Sequence, residues 1–426
     1  IINLIKYFTI TLFCSKVLYK FSNERKITMG KALMINFPGE GHINPSLGVT
    51  KELQSRGETI VYYAVEEYAE KIKKTGAEVR LYPDFRETLS FGKNMTGDEN
   101  KDYAEMMYNM AKKAGDIVDL IYEEVRHETY DYVIFDHHFL AGKIIAEMLG
   151  LPGISLCTTF AINKDMSMSF KDRQGDFESS PYFEKFKEMM AELNDRYPIS
   201  LDDPFDVFLC PGDITIVFTS REFQPQADQF GDDYLFVGPS VTSRQESADF
   251  PFAELEGEKV IVISMGTIFN RQQEVYNMCI EALKDFDGKV VMSIGKYTDP
   301  ADLDQIPSHF IVRPYIPQLE LLKVADLFVT HGGMNSTNEG LYFDTPLLVI
   351  PMGGDQFLVA SQVEKTGAGL KLDKKELSSS VLRQKIKEII NNSSYAASAA
   401  DIGRSLRDAG GYKRAADAIF GLVPQK

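Results

Sequence analysis

From Met29 onward the chain alternates apolar runs of strand length with segments whose apolar residues recur at helical spacing. The runs ALMINF, ETIVYYA, YDYVIFD and PGISLC are separated by stretches such as NPSLGVTKELQSRG and AGKIIAEMLG. That alternation predicts βαβ units on a parallel sheet with helices on its faces, an α/β class. The pattern loosens over 160–205, where Met, Phe and charged residues mix in KDMSMSFKDRQGDFESSPYFEKFKEMMAEL without tight turns. Helical insertions lining a cleft are expected there, with ordinary amphipathic packing the competing explanation for any single residue. The polar, acidic stretch TSRQESADFPFAELEGE reads as a linker over 241–258. Strand-length runs then restart as KVIVIS, KVVMSI, HFIVRPY, DLFVTHG and PLLVIP. Two doubly wound α/β domains, 29–240 and 259–426, are expected to face each other across the linker, with no repeat visible between their sequences.

Composition sets outer limits on this picture. A chain of 426 residues with 44% hydrophobic content exceeds one ordinary core and suits two of about 200 residues each. The net charge of -16, from 46 basic and 62 acidic residues, argues against a nucleic acid as the main partner and leaves room for a small anion held by backbone dipoles. Cys14, Cys157, Cys210 and Cys279 form no C-x-x-C pair, so neither a zinc site nor a disulfide framework is indicated and a cytoplasmic, reducing setting is expected. Residues 1–28 differ, with five Lys/Arg against one Glu and with Lys6, Lys16 and Lys20 interrupting the apolar stretch that a signal peptide would need. They read as appended, non-native sequence or, alternatively, as a peripheral membrane leader; no run reaches membrane-spanning length.

Candidate chemistry lies after the carboxyl ends of the predicted strands, where doubly wound sheets bind their ligands. In the loop FPGEGHINP, Gly39 and Gly41 match two thirds of a G-x-G-x-x-G fingerprint, but Asn44 stands where the third glycine belongs. The dinucleotide reading therefore lacks a part, although Glu66 and Glu67 lie at a suitable distance downstream. His42 is expected at the tip of the glycine turn, just before a helix started by Asn44 and Pro45. It is either a surface or capping histidine or a general base. Asp136, at the end of VIFD, is taken to close the fourth strand and would lie beside His42 if strands one and four are neighbours. Its carboxylate would then orient the imidazole, or else cap the helix that follows; His137 and His138 are less well placed for the first role.

The second half carries a longer series: VISMGT, ending in Ser264, Gly266 and Thr267; RPYIPQLELL, with Tyr315 and Gln318 around Pro317; HGGMNSTNEG; and PMGGDQFLVA, with Asp355 and Gln356 before a helix. In this order and spacing the chain, from Met29 to about residue 422, resembles the family 1 glycosyltransferases of GT-B architecture, and most closely their bacterial macrolide-type branch. The resemblance implies two Rossmann-like domains, with the final helix returning to the first. It implies that Ser264, Gly266 and Thr267 line the donor diphosphate and that His331, Gly333, Asn335 and Ser336 hold its oxygens at a helix start. By the same resemblance Glu339 would bind ribose hydroxyls, Asp355 and Gln356 would read the sugar, and Tyr315, Pro317 and Gln318 would border the base. Tyr315 stands where many relatives place Trp, and this chain has none.

These roles imply an inverting transfer of a hexose, glucose foremost, from a UDP-sugar to a hydroxyl of a hydrophobic small molecule such as a macrolide, flavonoid or other phenol. His42 would be the base and Asp136 its orienting acid. No cofactor and no metal are expected, since no D-x-D lies beside the phosphate segments. The competing readings are a nucleotide-sugar-binding protein and a GT-B epimerase or hydrolase acting on the donor alone, with a dinucleotide oxidoreductase third.

Overall fold

Strands β1 (Lys31–Ile35), β2 (Thr59–Ala64), β3 (Glu78–Leu81), β4 (Tyr132–Asp136), β5 (Gly153–Cys157), β6 (Ile214–Val217) and β7 (Tyr234–Phe236) form one parallel sheet in the order β3-β2-β1-β4-β5-β6-β7. A second parallel sheet is built from β8 (Val260–Ser264), β9 (Lys289–Ser293), β10 (Phe310–Arg313), β11 (Leu327–Thr330), β12 (Leu347–Val349) and β13 (Gly369–Lys371), in the order β10-β9-β8-β11-β12-β13. Counted from their own first strand both orders begin 3-2-1-4-5-6, and the first sheet adds a seventh strand at its edge. Each sheet therefore reverses direction between its first and fourth strands, and the crevice lies there. The GT-B architecture expected from the sequence is the one observed. This computed structural model describes residues 30–89, 99–163, 166, 179–242, 249–266 and 272–422. The leader 1–28, Thr267, residues 243–248 of the linker and most of 164–178 lie outside the described residues.

Burial explains why the strands read as continuous apolar runs, since β4, β5 and β8 are buried at every position and a parallel sheet is covered on both faces. The covering helices of the first half are α1 (Glu40–Ser55), α2 (Glu66–Lys73), α3 (Glu99–Val125), α4 (Leu140–Leu149) and α5 (Pro181–Arg196). Those of the second are α6 (Gln273–Leu283), α7 (Gln318–Leu322), α8 (Met334–Tyr342), α9 (Gln356–Lys365), α10 (Ser379–Asn391) and α11 (Ser393–Asp408). The last helix, α12 (Gly411–Leu422), packs on α1, and its Ala415, Ala416 and Ile419 belong to the core of the first sheet. Arg56, the C-cap of α1, meets it through Asp417 at 2.5 Å and by lying over the ring of Phe420. Among the described residues no helix is long and apolar enough to cross a membrane.

Two details differ from the expected pattern. In the stretch expected to line a cleft, Phe186, Met190 and Leu193 on α5 are buried in the core of the first sheet, with α5 packed against α3, so their apolar character is spent on packing. In the polar 241–258 segment, Phe252–Leu255 forms a 3-10 turn whose Leu255 is buried in the second half's core. The halves also meet directly. Asn338 of α8 donates to the Phe218 carbonyl at 3.0 Å and accepts from Thr219 at 3.1 Å, and Gln362 of α9 donates to the Phe223 carbonyl at 3.0 Å.

Candidate active site

Strands β1 and β4 pair in parallel register with Ile35 opposite Phe135, so the residues that follow each strand share one sheet edge. From that edge His42 Nδ1 and Asp136 Oδ2 meet at 2.8 Å. His42 does not stand on a free turn before a helix at Asn44 and Pro45, as its sequence context predicts. Helix α1 begins four residues earlier, at Glu40, with Gly39 as its N-cap and Pro45 inside it. His42 is therefore fixed on the first helical turn. Gly39 makes room for it: a Cβ there would fall 2.9 Å from His42 Cδ2. Phe37 packs against the other side of the space, its ring centroid 4.9 Å from the imidazole.

Asp136 is fully buried and accepts a second hydrogen bond at 2.8 Å from the His138 backbone N–H. It does not cap α4, whose N-cap is Phe139. Burial works against its charge, but the charge and hydrogen bond of His42 outweigh this and hold the carboxyl below its ordinary range. Conversely, burial disfavours an imidazolium at His42, yet Asp136, with a smaller contribution from Asp355 in the second half, keeps its pKa above the usual value. With Nδ1 donating to Asp136, Nε2 is the nitrogen without a hydrogen bond among the described residues, and the side chain keeps 23% of its surface exposed. That is the geometry of an oriented base with one free lone pair.

Helix α8 starts opposite. β11 ends at Thr330, and the chain then turns through His331, Gly332 at φ +87° and Gly333, the N-cap. A Cβ on Gly266 or Gly333 would fall 2.5 or 2.6 Å from the His331 ring, so glycine at both positions lets the imidazole lie between them. Burial holds His331 neutral, with its pKa lowered to about 4. No side chain caps α8, leaving its first-turn N–H groups available to an anion. One turn on, Glu339 is buried and accepts from Gln318 Nε2 at 2.7 Å, with Ser336 Oγ 3.5 Å from the same nitrogen. Pro317 is the N-cap of α7 and sets Gln318 at its first position. Asn335 donates to the Gly41 carbonyl at 2.7 Å and joins this cluster to the His42 turn.

The remaining expected residues are less close-knit. Gln356 is buried with Oε1 accepting from the Met352 and Gly353 N–H groups at 2.8 and 3.3 Å, so it shapes the loop before α9. Asp355 is the N-cap of α9 without a capping bond; burial raises its carboxyl pKa against the pull of His42. Ser264 ends β8 beside Gly266, while Tyr315 is 64% exposed.

Residues 240–409 match the family model described as "UDP-glucoronosyl and UDP-glucosyl transferase". Along 400 residues the chain is 59% identical to a protein of Bacillus subtilis (strain 168) named uncharacterized UDP-glucosyltransferase YojK, covering 93% of this chain and 98% of that one. The chain belongs to this glycosyltransferase family. It is also 27% identical to the oleandomycin glycosyltransferase of Streptomyces antibioticus, over 92% of this chain and 91% of that protein. Among solved structures, the glycosyltransferase of kitacinnamycin superposes with a TM-score of 0.82 at 26% identity, over 93% of this chain and 99% of that one.

Several groups around the dyad of this glycosyltransferase escaped the sequence reading. Thr158, just past β5, places Oγ1 3.2 Å from His42 Nδ1. Asn36, just past β1, donates to the His42 carbonyl at 3.0 Å and to Tyr62 Oη at 2.9 Å; Ser46 lies 2.7 Å from that hydroxyl and donates to the Ile43 carbonyl. A signal was present, since each polar residue directly follows or interrupts a buried strand or helix face. His137 is turned inward to Ser155 at 2.9 Å and is no part of the dyad.

Proposed function

We propose that the protein transfers a hexose, glucose foremost, from a UDP-sugar to a hydroxyl of a hydrophobic small-molecule acceptor, with inversion at the anomeric carbon. The observation that carries this reading is the oriented His42–Asp136 pair set against the start of α8, the two joined by the Asn335–Gly41 hydrogen bond. His42 Nε2 takes the acceptor's proton, the acceptor oxygen attacks from the face opposite the diphosphate, and Asp136 stabilises the imidazolium. Charge growing on the departing diphosphate is met by the first-turn N–H groups of α8, with Ser336 and Ser264 beside it. We read this charge as met without a bridging cation. Glu339, held by Gln318, receives the ribose hydroxyls, and Asp355 the sugar.

The choice of UDP-glucose leans on the name of the Bacillus subtilis relative, and that of a macrolide, flavonoid or other phenol as acceptor on the resemblance to the macrolide-type branch, to which the similarity to the oleandomycin glycosyltransferase adds. An aromatic cluster beside His42 agrees with such an acceptor. Phe37 contacts the imidazole and packs on Phe85 and Phe139 at centroid distances of 5.8 and 6.0 Å, and these two pack on each other and on Tyr82 at 5.6 to 6.3 Å. The test is transfer from UDP-glucose to an aliphatic alcohol and to an acidic phenol by wild type and His42→Ala. The expected result is acceptor-dependent consumption of donor, a loss of about 100-fold with the alcohol, and a smaller loss with the phenol, which ionises without help. Donor consumption that ignores the acceptor, or near-normal alcohol transfer by the variant, would overturn the reading.

A further inference from the structure

Gly41 and Pro45 stand four positions apart on α1, the spacing at which a helical N–H reaches back to a carbonyl. Proline has no N–H, so the Gly41 carbonyl loses its intrahelical donor. The structure supplies another from the opposite half of the protein: Asn335 Nδ2, on the first turn of α8, donates to it at 2.7 Å. The next carbonyl, that of His42 itself, accepts at 3.0 Å from Asn36 Nδ2 at the end of β1. Two consecutive carbonyls of the turn that carries His42 are thus gripped by two asparagines, one from each half.

We propose that Asn335 is a positioning residue for His42. It takes up the carbonyl that Pro45 leaves free and fixes the first turn of α1 against the donor-side helix. This assignment rests on the reading of His42 as the base, and it replaces the diphosphate contact that resemblance alone implies for the Asn335 side chain. The device joins the order of the two halves to the aim of the base. With α8 against α1, the imidazole is held between Asp136 and the cleft; without the Asn335 contact the Gly41 carbonyl would turn to water and the turn would be held from one side only. Asp355 adds to the same dependence, because its charge reaches His42 from the second half.

The test compares Asn335→Ala, Asn335→Asp, Pro45→Ala and the double variant Pro45→Ala/Asn335→Ala, with UDP affinity by calorimetry and kcat for an aliphatic alcohol and an acidic phenol. Asn335→Ala should lower kcat about tenfold with the alcohol, clearly less with the phenol, and leave UDP affinity within about twofold. Asn335→Asp, which sets an oxygen against the carbonyl, should be no better. Pro45→Ala returns an N–H to the Gly41 carbonyl, so in its background the loss of Asn335 should cost less than in wild type. UDP binding by each variant certifies its fold. A fall in UDP affinity of tenfold with equal losses for both acceptors would return Asn335 to the diphosphate and overturn the proposal, as would strict additivity of the two substitutions. Should His42→Ala itself fail to separate alcohol from phenol, the base assignment falls, and the UDP affinity and the double-variant cycle still judge the Asn335 contact.

Discussion

His42 and Asp136 stand 94 positions apart in the chain and meet at 2.8 Å, because each lies just beyond or at the end of one of two adjacent parallel strands. The contact couples a buried carboxylate to a ring that is partly open to the cleft, and the pairing fixes which nitrogen is free. It also fixes the direction in which the site should respond to pH.

A base must be neutral to accept a proton, so kcat/KM with an alcohol acceptor should rise with pH through the His42 pKa. That pKa lies above 6.5, since Asp136 outweighs the burial that opposes it. Asp136→Asn removes the raising influence. Its acid limb should shift to lower pH while kcat falls by about 100-fold or more, because the imidazolium loses its counter-charge and the tautomer its anchor. Profiles of log kcat/KM against pH for both proteins decide this, and an acid limb that stays in place would assign it to another group.

The donor side yields a contrasting expectation. Gln318 Nε2 tethers Glu339 at 2.7 Å, and in the proposed role its contact with ribose would not change during transfer. Glu339→Ala should therefore raise the donor KM about tenfold or more, the scale of a hydrogen bond to a charged group, with little loss in kcat. Gln318→Ala should move KM in the same direction by less. Steady-state titration of UDP-glucose checks both; a kcat effect larger than the KM effect would place Glu339 nearer the reacting bond.

The partnership of His42 with Asp136 was legible in advance, because doubly wound order makes the first and fourth strands neighbours whatever their sequence. The start of α1 was not. Asn44-Pro45 carries the ordinary signal of a helix start, yet Gly39 caps the helix earlier and the missing N–H of Pro45 is absorbed by Asn335, a contact made across the cleft and invisible locally. Strands EVRL, ITIV and GLK were not picked out as apolar runs, being three or four residues long and, in the first case, partly exposed. Thr158, Asn36 and Tyr62 act through positions that only the packed sheet brings together.

If the start of α8 and its hydroxyls carry the diphosphate charge, a divalent cation adds nothing essential. Transfer measured after exhaustive chelation, then with added Mg²⁺ or Mn²⁺, should change by less than about twofold. A loss of tenfold restored by one cation would show that the helix start shares its task with a metal.

Two histidines tie the fold itself to pH. Burial lowers the pKa of His137 to about 3 and that of His331 to about 4, whereas in the unfolded chain both return to 6.5. Each is depressed on folding, so its contribution to stability is complete above pH 6.5 and shrinks as the pH falls. The unfolded state then gains a proton that the folded state refuses, at up to about 1.4 kcal/mol per pH unit for each ring, and the loss levels off only near the folded values. His137→Asn keeps a polar partner for Ser155 and removes the titration. Whatever its absolute stability at pH 7, the variant's urea midpoint should fall less steeply between pH 6.5 and 4. Parallel slopes for the two proteins would mean that His137 is protonated in the folded state, and that the Ser155 contact holds an imidazolium after all.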